Sequence, residues 1–344
     1  MKERERMNLY YLNKFFYLIG NDRKIPLIEE VLHCSVIGGI YYPRFISYLI
    51  KSSCDESKLL QLEQTIKKNC SLKYNNDSKN WILKVYHYNL PKFLPFQYHQ
   101  TKDLVIGQSL DGTCKIKLDE NLSNILVVGQ SGSGKSCTAQ AIIYNCLLNN
   151  TEIWISDLKG SHDYRCFNTK LALNLDEFEM MLNLFIETVE KRLKVDKKHK
   201  PLLFFIDELF VVSTLPTKER NHIMNKLILV MSRCRSANAH ICLVVQKSSS
   251  SILDTRIICN ISCKIVLKTS NKQESRNCLD NDDRAFYIDN VGRGWLQLDG
   301  CNLIQFQGYY IDRKEIKIQQ STPIEDIKND DKIEIREEII SKFL

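Results

Sequence analysis

The chain has 344 residues, of which 44% are hydrophobic and 26% charged, and it carries a net charge of +7 at pH 7. This is ordinary globular composition with ample core for one large or two smaller domains, and the charge permits contact with a polyanion without demanding it. Thirteen cysteines without a single C-x-x-C (the nearest pair is Cys259 and Cys263) argue against both a secreted disulfide scaffold and a zinc site, and for buried thiols in a reduced cytosol.

In chain order, two early stretches resemble membrane segments and fail as such. Residues 8–19 are too short and contain Lys14, and residues 35–50 carry Pro43 and Arg44 at their middle, so neither offers the ~20 uninterrupted apolar residues of a span. The opening MKERER is not followed by a secretory core and cleavage site. The expected location is therefore cytoplasmic, with any membrane contact made through a partner. Residues 56–69 place Leu59, Leu62 and Ile66 on one helix face, YNNDSKN is a turn-rich break, and WILKVYHY from Trp81 alternates as a strand does. A small N-terminal α/β module over 1–100 fits, with Pro91 and Pro95 punctuating a linker.

Residues 103–118 read as a hairpin turning at Asp111-Gly112. A buried strand at Ile125–Val128 follows, and a helical pattern begins near Lys135 with Ala139, Ile142, Ile143, Cys146 and Leu147 at helix spacing. Between them lies GQSGSGKS: Gly129, Gln130, Ser131, Gly132, Ser133, Gly134, Lys135 and Ser136. Small residues let backbone N–H groups turn around the β- and γ-phosphates of a nucleotide, and the helix start adds its positive dipole end. Lys135 is placed to reach the phosphates and Ser136 to ligate Mg²⁺, so ATP and Mg²⁺ are the expected cofactors.

TEIWIS, from Thr151, is a second buried strand leading to Asp157-Leu158-Lys159-Gly160, and a helix is expected over 176–194. In PLLFFIDELF the run Leu202–Ile206 is apolar throughout, as in a parallel strand buried on both faces, and it ends on Asp207 and Glu208. Two acids there are costly unless a cation waits, which assigns Asp207 to the metal's water shell and Glu208 to activating the attacking water. A helix over 217–235 leads to the strand HICLVVQ, which ends at Gln246 beside the phosphate-loop strand, where a γ-phosphate sensor would stand. A strand at 262–268, a hairpin over Trp295–Phe306 turning at Asp299-Gly300, and a charged tail from about 320 with a short terminal helix complete the pattern.

With these pieces in order the sequence resembles the FtsK/SpoIIIE family of hexameric DNA translocases (HerA/FtsK-type P-loop ATPases), in the compact form found on conjugative and other mobile elements. The likeness runs from residue 103 to about 310: the hairpin and GQSGSGKS, WISDLKG, FFIDEL, MSRCRSANAHICLVVQ, ESRNCLD and the later GRG. Leu158 stands where the family has proline, Val245 where it has threonine, and Lys247 where it has arginine. The resemblance implies a RecA-like P-loop core with a mostly parallel central sheet over 101–315, followed by a tail over 316–344. It implies a homo-hexamer that hydrolyses ATP and moves DNA through phosphate-backbone contacts, with a relaxase or membrane channel proteins as further partners. It also implies an arginine acting across the subunit boundary, for which Arg235 is favoured over Arg276 and Arg256. A nucleotide-dependent coupling or assembly protein, linking a DNA-processing complex to a transfer channel, is the alternative. A P-loop kinase or transporter ATPase is disfavoured, since no LSGGQ-like stretch occurs.

Overall fold

The computed structural model describes residues 22–323, apart from 52, 120, 162, 196–198, 247–254, 299–302, 313, 315 and 317–321. The chain divides into two compact units, one ending at Leu90 and the other starting at Pro91.

The first unit runs α1 (Ile25–Leu32), β1 (Ser35–Tyr41), β2 (Phe45–Lys51), a 3-10 turn (Glu56–Lys58), α2 (Leu59–Ile66), β3 (Cys70–Asn75) and β4 (Asn80–Tyr86). Its antiparallel sheet has the order β1-β2-β4-β3. Alternation decides the buried face: Ile46, Tyr48 and Ile50 of β2 point inward with Leu83 and Val85 of β4, and meet Ile28, Leu32, Leu59 and Leu62 of the two helices. The apolar stretch at 35–50 is thus a hairpin, with Pro43 and Arg44 in its turn. Residues 8–19 lie outside the described residues.

The second unit is built on one eleven-stranded sheet. Its strands are β5 (Leu104–Ser109), β6 (Gly112–Ile116), β7 (Asn124–Val128), β8 (Glu152–Asp157), β9 (Lys170–Ala172), β10 (Leu202–Asp207), β11 (Ala239–Val245), β12 (Ile261–Leu267), β13 (Arg293–Leu298), β14 (Ile304–Gly308) and β15 (Thr322–Pro323). The order is β15-β9-β8-β10-β11-β7-β12-β13-β14-β5-β6. Pairing is parallel from β15 across to β12, as expected of the core. From β12 through β6 it is antiparallel, so the N-terminal hairpin and the 293–308 hairpin extend the sheet beyond the parallel part.

Helices α3 (Lys135–Leu148), α4 (Leu175–Leu193), α5 (Phe210–Ser213), α6 (Thr217–Arg233), α7 (Thr255–Ile258) and α8 (Lys272–Cys278) complete the unit. Every residue of β7, β10 and β11 is buried, because helices cover both faces of the sheet. Phe178, Met181, Leu182, Phe185 and Val189 form the inward stripe of α4, and pack with α6 residues against Trp154 and Phe204. On the other face Ala139, Ile142, Ile143 and Cys146 of α3 join Tyr164, Phe167 and Phe306. Among the described residues no helix is long and apolar enough to cross a membrane.

Two local expectations are corrected. The first hairpin turns at Leu110-Asp111, and Gly112 opens the return strand opposite Ser109. The segment from Pro91 is no free linker but a strap on the second unit: Tyr310 N–H donates to Leu94 O and Phe96 N–H to Tyr310 O, both at 2.8 Å. Backbone hydrogen bonding to a partner two hundred residues away leaves no local sequence signal beyond the prolines themselves. The expected turn at Asp299-Gly300, Lys247 and the terminal helix lie outside the described residues.

Candidate active site

The site forms where β7, β10 and β11 reach their carboxyl ends. β7 is held in place at its start by Asn124, whose amide donates to Met231 O and Asn260 O and whose carbonyl accepts from Ile241 N–H. After Val128 the chain turns through Gly129–Gly134 into α3. Gly134 has φ 97°, and a Cβ there would lie 2.8 Å from the backbone nitrogen of Gly292, so only glycine suits the last loop position. The loop is braced from outside: Gln130 N–H donates to Lys268 O at 2.7 Å and Gly292 N–H to Ser133 O at 2.8 Å. Ser133 Oγ and Thr138 Oγ1 are buried without a hydrogen-bond partner.

Lys135 Nζ donates to Gly129 O at 2.5 Å and Gln130 O at 2.9 Å. Burial pulls its pKa below the ordinary lysine value; the charges of Asp207 and Glu208 oppose that and Lys159 adds to it. The ammonium therefore sits within electrostatic reach of both acids. A triphosphate fits this surface: a glycine-rich turn at a helix start, one half-buried ammonium, and two acids facing it.

Asp207 ends β10 in register with Asp157 at the end of β8, so two buried carboxylates stand side by side. Tyr164 Oη, itself fully buried, donates to Asp207 Oδ2 at 2.9 Å. The Ser161 hydroxyl donates to Asp157 Oδ2 at 3.2 Å. The Asp207 pKa is raised to about 6, chiefly by burial and also by the charges of Asp157 and Glu208, against the Tyr164 hydrogen bond and Lys159, which hold it down. Glu208 takes φ 64°, a left-handed conformation that a side-chain-bearing residue rarely adopts, and its N–H donates to Val244 O at 3.0 Å. Gln246 follows the last residue of β11, and that strand lies between β7 and β10, with Val245 paired to Val128. The fold thus gathers the phosphate loop, Lys135, Ser136, Asp207, Glu208 and Gln246 at one edge.

Arg235 is elsewhere. It is exposed in the 3-10 turn Cys234–Ala237, before β11 begins, and a seven-residue strand of about 20 Å separates that edge of the sheet from the phosphate loop. Arg276, on α8, is paired with Asp283 at 2.9 Å, and Arg256 lies on α7. Tyr164 escaped the sequence reading. It lies in an irregular stretch with no motif, and only the tertiary fold brings it to Asp207, 43 residues away in sequence.

Residues 125–268 match the family model for the ATPase family associated with various cellular activities (AAA). Among curated proteins, the DNA translocase FtsK of Streptococcus pneumoniae is 22% identical over 253 residues, covering 62% of this chain and 32% of that protein. The type VII secretion system protein EssC of Staphylococcus aureus is 26% identical over 235 residues, covering 57% and 16%. The chain thus spans a third or less of the length of these relatives. Among solved structures, the pCW3 conjugation coupling protein TcpA with ATPγS superposes with a TM-score of 0.59 at 20% identity, covering 82% of this chain and 90% of that one. The cytoplasmic domain of the type VII secretion ATPase EccC of Thermomonospora curvata gives 0.51 at 18%, covering 66% and 32%. The chain carries an ATP-hydrolysing P-loop core, matched by the AAA model over residues 125–268, together with a small N-terminal α/β module, and over part of its length it is similar in sequence to FtsK and EssC.

Proposed function

We propose that this protein is a coupling ATPase: it binds and hydrolyses ATP to link a substrate-processing complex to a transfer channel, working at the cytoplasmic face through channel partners. The observation that carries the reading is the extent of the fold likeness to the conjugation coupling protein TcpA, which takes in nearly all of that chain. In contrast, the curated relatives are matched over a fraction of their length. DNA held by its phosphates, a relaxase, and further copies of this chain in a hexameric ring are the partners this reading implies.

Residues 129–136 cradle the phosphates, and Lys135 exchanges its two loop carbonyls for the β/γ oxygens. Ser136 and Asp207 would hold Mg²⁺, which would supply positive charge to offset that of the triphosphate. Tyr164 pins one Asp207 oxygen and so fixes the carboxylate that would hold the metal. Glu208 accepts the proton of the attacking water, Gln246 contacts the γ-phosphate, and Arg235 serves the neighbouring subunit's site. Its position at the far edge of the sheet agrees with a role in trans and with no role in its own site.

A second reading, an ATP-driven DNA translocase, is favoured by the similarity to FtsK over 253 residues. Turnover measured across a titration of duplex DNA separates the two. A coupling ATPase binds DNA with turnover nearly flat; turnover rising at least tenfold overturns the coupling reading in favour of the motor.

A further inference from the structure

The phosphate loop accounts for only one end of a nucleotide. Towards β8 and β10 it is flanked by charge: Asp157, Lys159, Asp207 and Glu208. On its other flank lies the turn before β13, where Gly292 N–H holds Ser133 O and the Val291 Cγ1 methyl would lie 3.2 Å from a Cβ on Gly134. Gly308, at the end of β14, continues this wall. Its N–H donates to Gly292 O at 2.7 Å, and a Cβ on it would lie 2.9 Å from Thr138 Oγ1 in the first turn of α3. Tyr310 follows two residues later, at most about 7 Å of chain away.

The strap meets the wall at this point. Pro91 O accepts from Arg293 Nη2 at 2.8 Å, and the Leu94 and Phe96 backbones bracket Tyr310. The Phe93 ring packs on the Tyr310 ring with centroids 5.3 Å apart. Val291, Phe93 and Tyr310 are nonetheless 66%, 61% and 43% exposed. Val291 at the last loop glycine, and the Phe93–Tyr310 pair, tilted at 48° on hydrogen-bonded backbone a short step along the same wall, leave apolar surface in water on this flank of the phosphate loop.

We propose that Phe93, Tyr310 and Val291 form the platform for the nucleotide's purine base. The proposal rests on the phosphate-loop reading above and deepens it. The loop and Lys135 recognise the triphosphate, whereas the strap and the 291–310 wall recognise the base. Stacking on an aromatic face is worth about 1–3 kcal/mol per base, or about 5- to 150-fold in affinity. It favours the larger purines over pyrimidines without reading their edges.

Calorimetric titration of the full chain with ATP and with inorganic tripolyphosphate, both with Mg²⁺, tests this. The wild-type protein is expected to prefer ATP at least tenfold. Phe93→Ala and Tyr310→Ala should each cut that preference at least fivefold and leave tripolyphosphate affinity unchanged. Lys135→Ala should weaken both ligands together. A Phe93→Trp variant guards against misfolding artefacts: its added emission should change with ATP and not with tripolyphosphate. An unaltered ATP-to-tripolyphosphate ratio in both alanine variants, or an equal response of the tryptophan to both ligands, overturns the platform while leaving the phosphate site standing. Failure of the wild-type protein to bind either ligand overturns the phosphate site and the platform with it.

Discussion

Asp207 should be held ionised at a cost to the fold, and Asp207→Asn measures that cost. The carboxyl is buried, with Asp157 beside it in register, and its pKa rises from 3.8 to about 6. Between these values the folded chain binds more protons than the unfolded one, so this group's contribution to stability falls as pH rises through that window. Once pH exceeds 6 the whole penalty is present; a rise of about two pH units corresponds to about 3 kcal/mol. Asparagine has nearly the same shape, its carbonyl can still accept from Tyr164, and it has no charge to desolvate. In EDTA without nucleotide at pH 8, the variant should therefore gain about 1–3 kcal/mol, several degrees in Tm for a unit of this size. That gain should shrink towards pH 4, where the wild-type carboxyl is protonated. ATP turnover should meanwhile be lost. Chemical denaturation at pH 4, 6 and 8 is the assay. A variant less stable than wild type at pH 8, or a gain that does not shrink in acid, would refute the reasoning.

Four further outcomes follow from the same geometry. Lys135→Ala should abolish ATP hydrolysis with the fold intact by circular dichroism, because no other cation lies in the loop itself; near-normal turnover would remove the phosphate-loop assignment. Glu208→Gln should bind Mg-ATP with wild-type affinity and turn it over at least a hundredfold more slowly, and a loss of affinity instead would make Glu208 part of the metal site. Tyr164→Phe removes the hydrogen bond to Asp207 and should cost about 1.5–3 kcal/mol at pH 8, less at pH 5 where the carboxyl is largely protonated, while also raising the Mg²⁺ needed for half-maximal binding of ATPγS. Subunits carrying Arg235→Ala, mixed with Lys135→Ala subunits, should recover part of the activity that each lacks alone, and full activity of Arg235→Ala by itself would exclude it as a trans-acting group.

How legible these features were depends on whether their cause is local. GQSGSGKS between an apolar run and a helical pattern is a local arrangement, and the strand, loop and helix fall where expected. LLFFID, apolar throughout, had to be buried on both faces, and β10 duly lies between two parallel neighbours. Gln246 reads from the sequence as the end of the strand HICLVVQ, beside the phosphate-loop strand, and β11 does pair with β7. What stayed hidden is non-local. The strap from Pro91 earns its structure from Tyr310 and Arg293, and Tyr164 matters through Asp207. The left-handed backbone of Glu208, whose N–H donates to Val244 O across the sheet, is announced by no residue type. The antiparallel half of the sheet was visible only as two separate hairpins, since nothing in either one states that β14 pairs with β5.

The most direct measurement is displacement of a DNA triplex by the wild-type protein, under conditions where mobility shift shows DNA bound and ATP is being hydrolysed. A coupling ATPase leaves the third strand in place, at the same rate with ATP as with ATPγS. ATP-dependent displacement that Lys135→Ala and Glu208→Gln both abolish would contradict the coupling assignment and make the protein a DNA motor in its own right.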